Sequence, residues 1–386
     1  MIYADHAATT PVRREALEAM WPYLTGQFGN PSSHHTVGEA AAAGLEAARA
    51  SIAQALGARA GDLVFTGSGT EADNLAVKGI ALGRPRGRHL ITSPLEHEAV
   101  LASADHLARL HGFEVEFLTP DRDGLVSADE LAGLIRPDTT LVSVQYANNE
   151  IGTVQPLADL AQVTRAAGVP LHTDAVQAAG WLSLNVAALG VDALSLSGHK
   201  LGAPKGIGLL WVRGRFTLEP VLHGGGQERG RRSGTENVPG AVALATALTA
   251  AEAEREAVSA RLTGLRTRFT SAVLDQVPGA QLTGPAERRL PASASFVFDG
   301  TGGEAVLLEL ERRGILCSSG SACAAGSDEP SHVLTALGLA DDLARTAVRF
   351  TFGPETTEAE AEGTARAVVE SVAAIRQAYP AGMSLP

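Results

Sequence analysis

Short apolar runs alternate with amphipathic stretches between about residues 60 and 213. We interpret the apolar runs as strands at residues 62–65, 89–92, 113–117, 140–145, 170–173, 192–196 and 207–212. Most of the intervening stretches repeat apolar residues at helical spacing, and two of them begin with helix-start signals, a capping box at residues 127–130 and a proline at Pro156. Alternating strand and helix patterns predict a mostly parallel sheet that is covered by helices on both faces.

The pattern changes after about residue 236. Long stretches rich in alanine, glutamate, arginine and leucine predict two helices, at residues 238–258 and 261–276. For the remainder we predict a strand at 294–298, a helix at 303–313, a loop of small residues at about 318–328, a strand at 346–352 and a final helix after Thr357. The chain is therefore predicted to be an α/β protein with two domains. Residues 15–257 form the large domain, and residues 1–14 and 258–386 form a smaller α/β domain that carries the loop.

Composition narrows the class of protein. The chain has 386 residues and a formal net charge of −12, which disfavours direct binding of nucleic acid, because phosphate neutralisation needs clustered lysine and arginine. No signal-peptide pattern opens the sequence and no window approaches 18 apolar residues, so we expect a cytoplasmic protein without a membrane span. The two cysteines, Cys317 and Cys323, provide neither a disulfide framework nor a four-ligand metal site, and we predict no metal.

Asp174 and Lys200 end two successive predicted strands, where parallel sheets bind ligands. Lysine is rare in this chain, which has only Lys78, Lys200 and Lys205, and a desolvated lysine can act as a neutral nucleophile. A fixed carboxylate can keep a pyridine nitrogen protonated, as pyridoxal phosphate (PLP) chemistry requires. The pair therefore indicates a possible PLP site.

Polar groups follow other predicted strands at the same edge. The turn at residues 66–71 (TGSGTE) opens a helix, and its glycines and free N–H groups suit a phosphate, although plain helix capping is the alternative. It lacks the glycine patterns of nucleotide-binding loops, which argues against a nicotinamide dehydrogenase. His97 could stack on an aromatic ring or carry protons, or could simply be exposed at a helix start. Asn149 and Gln177 could donate to a ring hydroxyl, and Ser197 and His199 could bind a phosphate oxygen.

Two features lie beyond the predicted large sheet. Cys323 sits within a run of small residues, the setting of a reactive thiol, whereas Cys317 ends an apolar run and is predicted to be in the core. Arg349 is a charge within a strand pattern, and a carboxylate, either of a substrate or of the protein, is its natural partner.

Together these motifs resemble the cysteine desulfurases, a class V aminotransferase-like group of fold-type I PLP enzymes. The resemblance runs in order along almost the whole chain, through residues 7–10, 29–35, 67–74, 96–97, 148–152, 172–177, 197–208, 232–235, 318–323 and 349. The length of the loop around Cys323 resembles the branch associated with nitrogen fixation and iron–sulfur cluster assembly.

The resemblance implies a role for each candidate residue. Lys200 would bind PLP covalently, Asp174 would pair with the ring nitrogen, and His97 would stack on the ring and could assist proton transfer. Asn149 and Gln177 would serve the ring hydroxyl. The phosphate-binding residues would be Gly69, Thr70, Ser197, His199 and, from the other subunit of a homodimer, Thr235. Arg349 and Asn30 would bind the substrate carboxylate.

The activity implied is conversion of L-cysteine to L-alanine. Cys323 would take the sulfur as a persulfide and pass it to an acceptor, such as an iron–sulfur scaffold protein, or towards tRNA or cofactor synthesis. Three alternatives stay open: a selenocysteine lyase, another class V aminotransferase-like enzyme, which would not need the loop thiol, and a noncatalytic PLP-binding or scaffold protein.

Overall fold

The structure is a computed structural model that describes residues 1–320 and 329–378. Its strands are β1 (Ile2–Tyr3), β2 (Leu63–Thr66), β3 (His89–Thr92), β4 (Glu114–Phe117), β5 (Thr139–Ser143), β6 (Leu171–Asp174), β7 (Ala193–Ser197), β8 (Gly208–Val212), β9 (Ala280–Leu282), β10 (Ser293–Phe298), β11 (Ile315–Leu316) and β12 (Ala347–Thr351). Across these two ranges no helix is long and apolar enough to cross a membrane.

The helices separate most of these strands along the chain. They are α1 (Arg14–Thr25), α2 (Thr36–Leu56), α3 (Gly69–Gly83), α4 (Glu98–His111), α5 (Ala128–Leu134), α6 (Leu157–Ala167), α7 (Val186–Leu189), α8 (Val238–Gln276), α9 (Gly303–Arg312), α10 (His332–Ala336), α11 (Asp341–Ala344) and α12 (Glu358–Ala378).

The described residues form one large sheet of seven strands, in the order β2-β8-β7-β6-β5-β3-β4. Neighbouring strands from β4 through β7 pair in parallel, and β8 runs antiparallel to both β7 and β2. The central strands are buried on both faces, as helices on both sides of a parallel sheet require. The mostly parallel sheet predicted from the alternating pattern is confirmed.

A second, smaller layer uses the later part of the chain. Strands β12, β10 and β9 form an antiparallel sheet, and β1 pairs in parallel with β11. Its core contains edge-to-face aromatic contacts in which Phe269 of α8 meets Phe296, Phe350 and Phe352 with ring centroids 5.2 to 5.9 Å apart. These contacts add to the apolar burial that holds α8 against the small sheet.

Helix α8 is continuous from Val238 to Gln276, so the prediction of two separate helices at 238–258 and 261–276 is wrong. The junction at residues 258–261 (VSAR) contains neither glycine nor proline, and nothing local breaks the helix. The first half of α8 packs in the large core and the second half packs in the smaller core. The predicted domain boundary at residue 257 falls inside this helix, which therefore belongs to both cores. The two-domain division stays a prediction.

The N-terminal segment contacts both layers. Residues 2–3 pair with β11 beside the small sheet, whereas the backbone N–H groups of Thr10 and Arg13 donate to the carbonyls of His199 and Gly202, in the turn after β7. The segment between them therefore crosses from one layer to the other beside the end of β7.

Candidate active site

A cavity of about 790 Å³ opens at the carboxyl ends of the parallel strands. Ligand sites in open α/β sheets lie at this edge, because the loops that follow the strands all emerge there. The cavity brings together ten of the candidate residues: Gly69, Thr70, His97, Asn149, Asp174, Gln177, Ser197, His199, Lys200 and Arg349.

Asp174 is the last residue of β6, and Lys200 lies in the short 3₁₀ turn that follows the neighbouring strand β7. The Asp174 carboxylate is buried and accepts a hydrogen bond from the Val176 N–H at 2.8 Å. Burial raises the pKa of this carboxyl, while the nearby His97 and Lys200 favour its charged form. A buried carboxylate in a cavity of this size is a suitable partner for a protonated ring nitrogen, so the site fits the pyridine of PLP.

The turn at residues 66–71, which we call the phosphate turn, joins β2 to α3. Ser68 caps the helix, and its Oγ accepts from the Glu71 N–H at 3.1 Å. Since the first helical bond runs from the Ala72 N–H to Ser68, the N–H groups of Gly69 and Thr70 have no intrahelical acceptor. A Cβ at Gly69 would come within 2.9 Å of Val176 Cγ2 and 3.0 Å of Ser197 Cβ. Glycine avoids these close approaches, and the helix end fits a phosphate.

His199 contributes to this region as a neutral ring. Burial, together with the nearby Lys200 and Lys205, lowers the pKa of its imidazole to about 4. Its Nδ1 lies 3.1 Å from Thr9 Oγ1. His199 can therefore form a hydrogen bond with a phosphate at neutral pH but adds no positive charge to it.

His97 caps the start of α4. Its Nδ1 accepts from the Ala99 N–H at 3.1 Å, which fixes the position of the ring at the cavity wall. The side chain is half-buried and lines the cavity. This placement is compatible with the predicted stacking on a ring.

Arg349 projects from β12 with only 1% of its side chain exposed. Its Nη1 donates to the carbonyls of Asn149 (2.8 Å) and Gly320 (3.0 Å), and its Nη2 donates to Asp5 Oδ1 at 2.8 Å. The protein carboxylate that the sequence left as an alternative partner is therefore present, and it is Asp5. The buried Nε finds no acceptor among the described residues, which leaves one donor for a further acceptor.

The N-terminal segment is a part of the site to which sequence reasoning gave no role. The Lys200 ammonium donates to the carbonyls of Ala7 and Ala8, the second at 2.8 Å, and Gln177 Nε2 donates to the Ala7 carbonyl at 3.0 Å. Small side chains at residues 7 and 8 leave room for these approaches. The AATT sequence at residues 7–10 contributed to the family resemblance, and this was the only sequence feature that could have indicated a role for the segment in the site.

A buried polar cluster beneath Asp174 was also missed. His172 Nδ1 lies 2.8 Å from Ser143 Oγ, its Nε2 lies 3.0 Å from Ser195 Oγ, and an oxygen of Asp73 is 3.8 Å away. Burial lowers the pKa of His172 to about 3, so its ring is neutral. Burial, with the nearby Asp174 charge, raises the pKa values of Asp73 and Glu96 well above their usual range. These shifts favour the neutral forms of the two acids, whereas Asp174 has the Lys200 ammonium nearby to favour its charged form.

Two predicted residues do not line this cavity, and a third lies outside the described residues. Asn30 and Thr235 are exposed and are not among the described residues that line it. Cys323 lies outside the described residues. The other cysteine, Cys317, lies half-buried against the smaller core, and burial raises the pKa of its thiol to about 12, which makes it a poor nucleophile.

Residues 2–363 match the sequence profile of the family described as aminotransferase class-V. Two curated relatives are cysteine desulfurases IscS. The protein of Dictyoglomus turgidum is 42% identical over 98% of this chain and 96% of the relative, and that of Methanosarcina thermophila is 44% identical over 98% and 94%.

Among solved structures, a NifS-like protein superposes with a TM-score of 0.90 at 35% identity, covering 96% of this chain and 99% of that one. The structure described as SspA in complex with cysteine superposes with a TM-score of 0.81 at 38% identity, covering 92% and 100%. The chain is thus a fold-type I, PLP-dependent enzyme of the aminotransferase class-V family. Within that family it belongs to the cysteine desulfurases.

Proposed function

We propose that this cysteine desulfurase works as a homodimer that converts L-cysteine to L-alanine and transfers the sulfur to Cys323 as a persulfide. The observation that carries this proposal is the single cavity in which Lys200, Asp174, the helix-start turn at Gly69 and the strand arginine Arg349 converge. A lysine, a buried carboxylate, a phosphate site and a carboxylate-binding guanidinium are the groups that PLP and an amino acid require.

In this proposal the candidate residues hold PLP from several sides. Lys200 attaches it covalently, Asp174 pairs with the ring nitrogen and His97 covers the ring face. Asn149 and Gln177 serve the ring hydroxyl. The phosphate contacts are Gly69, Thr70, Ser197, His199 and Thr235 of the second copy. When bound, PLP supplies an electron sink for the substrate Cα.

Arg349, with Asn30, would bind the substrate carboxylate. The unpartnered Nε of Arg349 is the donor that supports this assignment. Lys200 Nζ would take the Cα proton after release from the cofactor. The carbonyl oxygens of Ala7 and Ala8, which already accept from this nitrogen, would then stabilise its protonated form and hold it in place.

Cys323 would collect the sulfur. Its thiolate attacks the substrate sulfur, a sulfur–sulfur bond forms, and the substrate C–S bond breaks with its electron pair left on the carbon skeleton, which becomes alanine after proton uptake. Although Cys323 lies outside the described residues, the chain just before it reaches the cavity. Ser318 exchanges backbone hydrogen bonds with Arg349, and the Gly320 carbonyl accepts from the Arg349 side chain.

The acceptor of this sulfur would be an iron–sulfur scaffold protein or another sulfur-accepting partner. Use of the sulfur for clusters follows the IscS name of the relatives. A cytoplasmic location stays a prediction from sequence. Preference for selenocysteine would make the protein a lyase of the same group.

The test is incubation of the purified protein with PLP, L-cysteine and a reductant, while alanine and sulfide are measured. We expect equal amounts of both products, and a faster reaction with cysteine than with selenocysteine. Cys323→Ser should keep the absorbance of Lys200-bound PLP but release no sulfide, whereas Cys317→Ser, the matched control, should remain active. Normal sulfide release by Cys323→Ser would refute the persulfide step, and turnover by Lys200→Ala would refute the role of the lysine.

A further inference from the structure

Residues 224–237 contain a strained turn. Glu228 and Arg229 have φ angles of +49° and +59°, and they are the two non-glycine residues with positive φ in the described part of the chain. Such a conformation is unfavourable for residues with a Cβ and persists where the surrounding contacts enforce it. Strain of this kind is often found near functional sites, so the contacts that enforce it matter here.

A buried ion pair holds the strained turn. Arg49 and Glu228 form two hydrogen bonds, of 2.8 and 3.0 Å, with 3% and 2% of their side chains exposed. Arg49 Nε also donates to Glu46 Oε1 of its own helix at 3.1 Å, and both members of the pair contact β2, which is an edge strand of the large sheet. Arg49 Nη1 donates to the Leu63 carbonyl at 3.0 Å, and the Phe65 N–H donates to Glu228 Oε2 at 3.2 Å. The pair therefore occupies the open backbone positions of β2 and fastens the turn to that strand.

A second ion pair fastens the same segment beyond β2. Arg232 Nε donates to Glu71 Oε1 at 2.8 Å, and Arg232 Nη2 lies 3.3 Å from Glu71 Oε2. The same Glu71 carboxylate accepts from the Gly67 N–H at 2.7 Å, at the start of the phosphate turn. Within the segment, the Gly234 N–H donates to Gln227 Oε1 at 2.9 Å. The segment is thus attached on both sides of the phosphate turn, and an internal hydrogen bond links its two halves.

Thr235 lies three residues after Arg232, is exposed, and is absent from the described lining of this chain's own cavity. We propose that the Arg49–Glu228 and Glu71–Arg232 pairs hold residues 224–237 as a rigid arm that presents Thr235 to the phosphate site of a second copy. This inference rests on the homodimer of the proposed function. In it, Arg232 and Glu228 are positioning residues that act through Thr235 and do not touch the cofactor.

The first test compares Arg232→Gln with Arg231→Gln. Both remove one charge from the same segment, but among the described residues the Arg231 side chain donates to the Gly61 carbonyl, at 3.2 Å, and not to Glu71. Arg232→Gln should raise the PLP dissociation constant about tenfold, roughly the loss of one hydrogen bond to a charged group, whereas Arg231→Gln should leave it unchanged. Arg232→Lys keeps the charge but can form fewer hydrogen bonds, so its PLP dissociation constant should lie between those of the two glutamine variants. It also serves if Arg232→Gln does not fold.

Mixed dimers decide whether the arm acts on the partner. A dimer of Arg232→Gln with Lys200→Ala has one lysine-bearing site, which faces an intact arm of the partner, and it should bind PLP as tightly as a dimer of wild type with Lys200→Ala. A dimer of wild type with the double variant Lys200→Ala/Arg232→Gln should bind PLP weakly at its lysine-bearing site. The reverse pattern would show that Arg232 orders only the phosphate turn of its own chain and would overturn the proposal.

Failure of the proposed function and failure of the arm proposal would give different results. A wild-type protein that does not bind PLP or release alanine contradicts the proposed function itself. A wild-type protein that turns over cysteine, while Arg232→Gln binds PLP with unchanged affinity, contradicts the arm alone. A monomeric, active wild type in sedimentation velocity would also refute the arm, because no second copy would be present to receive Thr235.

Discussion

Replacing Gly69 by alanine should weaken PLP binding while leaving the protein folded. The new Cβ would lie 2.9 Å from Val176 Cγ2 and 3.0 Å from Ser197 Cβ. Contacts this short are repulsive, so either the phosphate turn or its neighbours must shift. Overpacking of this kind costs roughly 1–3 kcal/mol. Ser197 is itself a candidate phosphate contact, which means that a shift of either residue disturbs the same site.

If most of this cost falls on the cofactor-bound state, the PLP dissociation constant should rise about 10- to 100-fold. Absorbance titration of the apoprotein with PLP measures the constant, and urea unfolding of the apoprotein shows how much of the cost is global. Gly133→Ala is the matched control, because a Cβ there meets nothing within 4 Å and the residue lies in helix α5. It should leave PLP binding unchanged and stabilise the fold slightly, by up to about 1 kcal/mol.

Two outcomes would refute this reasoning. Gly69→Ala could bind PLP with wild-type affinity, which would mean that the turn adapts without moving its N–H groups. Alternatively, the whole cost could appear in the unfolding of the apoprotein with no change in PLP affinity. In that case the close approach at Gly69 would be a packing feature, and phosphate binding would have to depend on other residues.

Three further predictions concern charged groups. Arg49→Met leaves the Glu228 carboxylate buried without its partner and should lower the free energy of unfolding by about 3–5 kcal/mol, with much of this recovered in the double variant Arg49→Met/Glu228→Met; urea unfolding measures both. Burial lowers the pKa of His172 to about 3, against about 6.5 in the unfolded chain, so the unfolded state takes up a proton first and the free energy of unfolding falls as the pH drops from about 6.5 to about 3. In His172→Gln the free energy of unfolding should fall less over this pH range, and an unchanged pH dependence would refute the reasoning. Arg349→Lys should raise KM for cysteine about 10- to 100-fold with a smaller effect on kcat, whereas Arg312→Lys on an exposed helix end should change neither, in steady-state assays.

The central layer of the fold follows from local pattern. Strands β6 and β7 are short apolar runs bounded by helical stretches, and their parallel pairing places both carboxyl ends at one edge. This is why Asp174 and Lys200 could be placed in one crevice from sequence alone. Strand limits differ slightly from the predicted ones. The run predicted at 346–352, for example, became β12 from Ala347 to Thr351.

The remaining elements depend on distant partners. Strand β1 has two residues and is stabilised by pairing with β11, more than 300 positions later, so no local signal identifies it. The two halves of α8 are buried in different cores, so the length of this helix is set by tertiary packing as well as by local pattern.

By itself, the sequence determined which residues stand at strand ends and helix starts. Backbone geometry in a parallel sheet then gathers Asp174, Lys200 and the Gly69 turn without any knowledge of packing. Only the tertiary structure decided which groups complete the site, such as Asp5 beside Arg349 and the carbonyls of residues 7 and 8 beside Lys200. These contacts join parts of the chain that are nearly 200 to 344 residues apart. Local propensity carries no information about such pairs, because they form only when the two layers pack together.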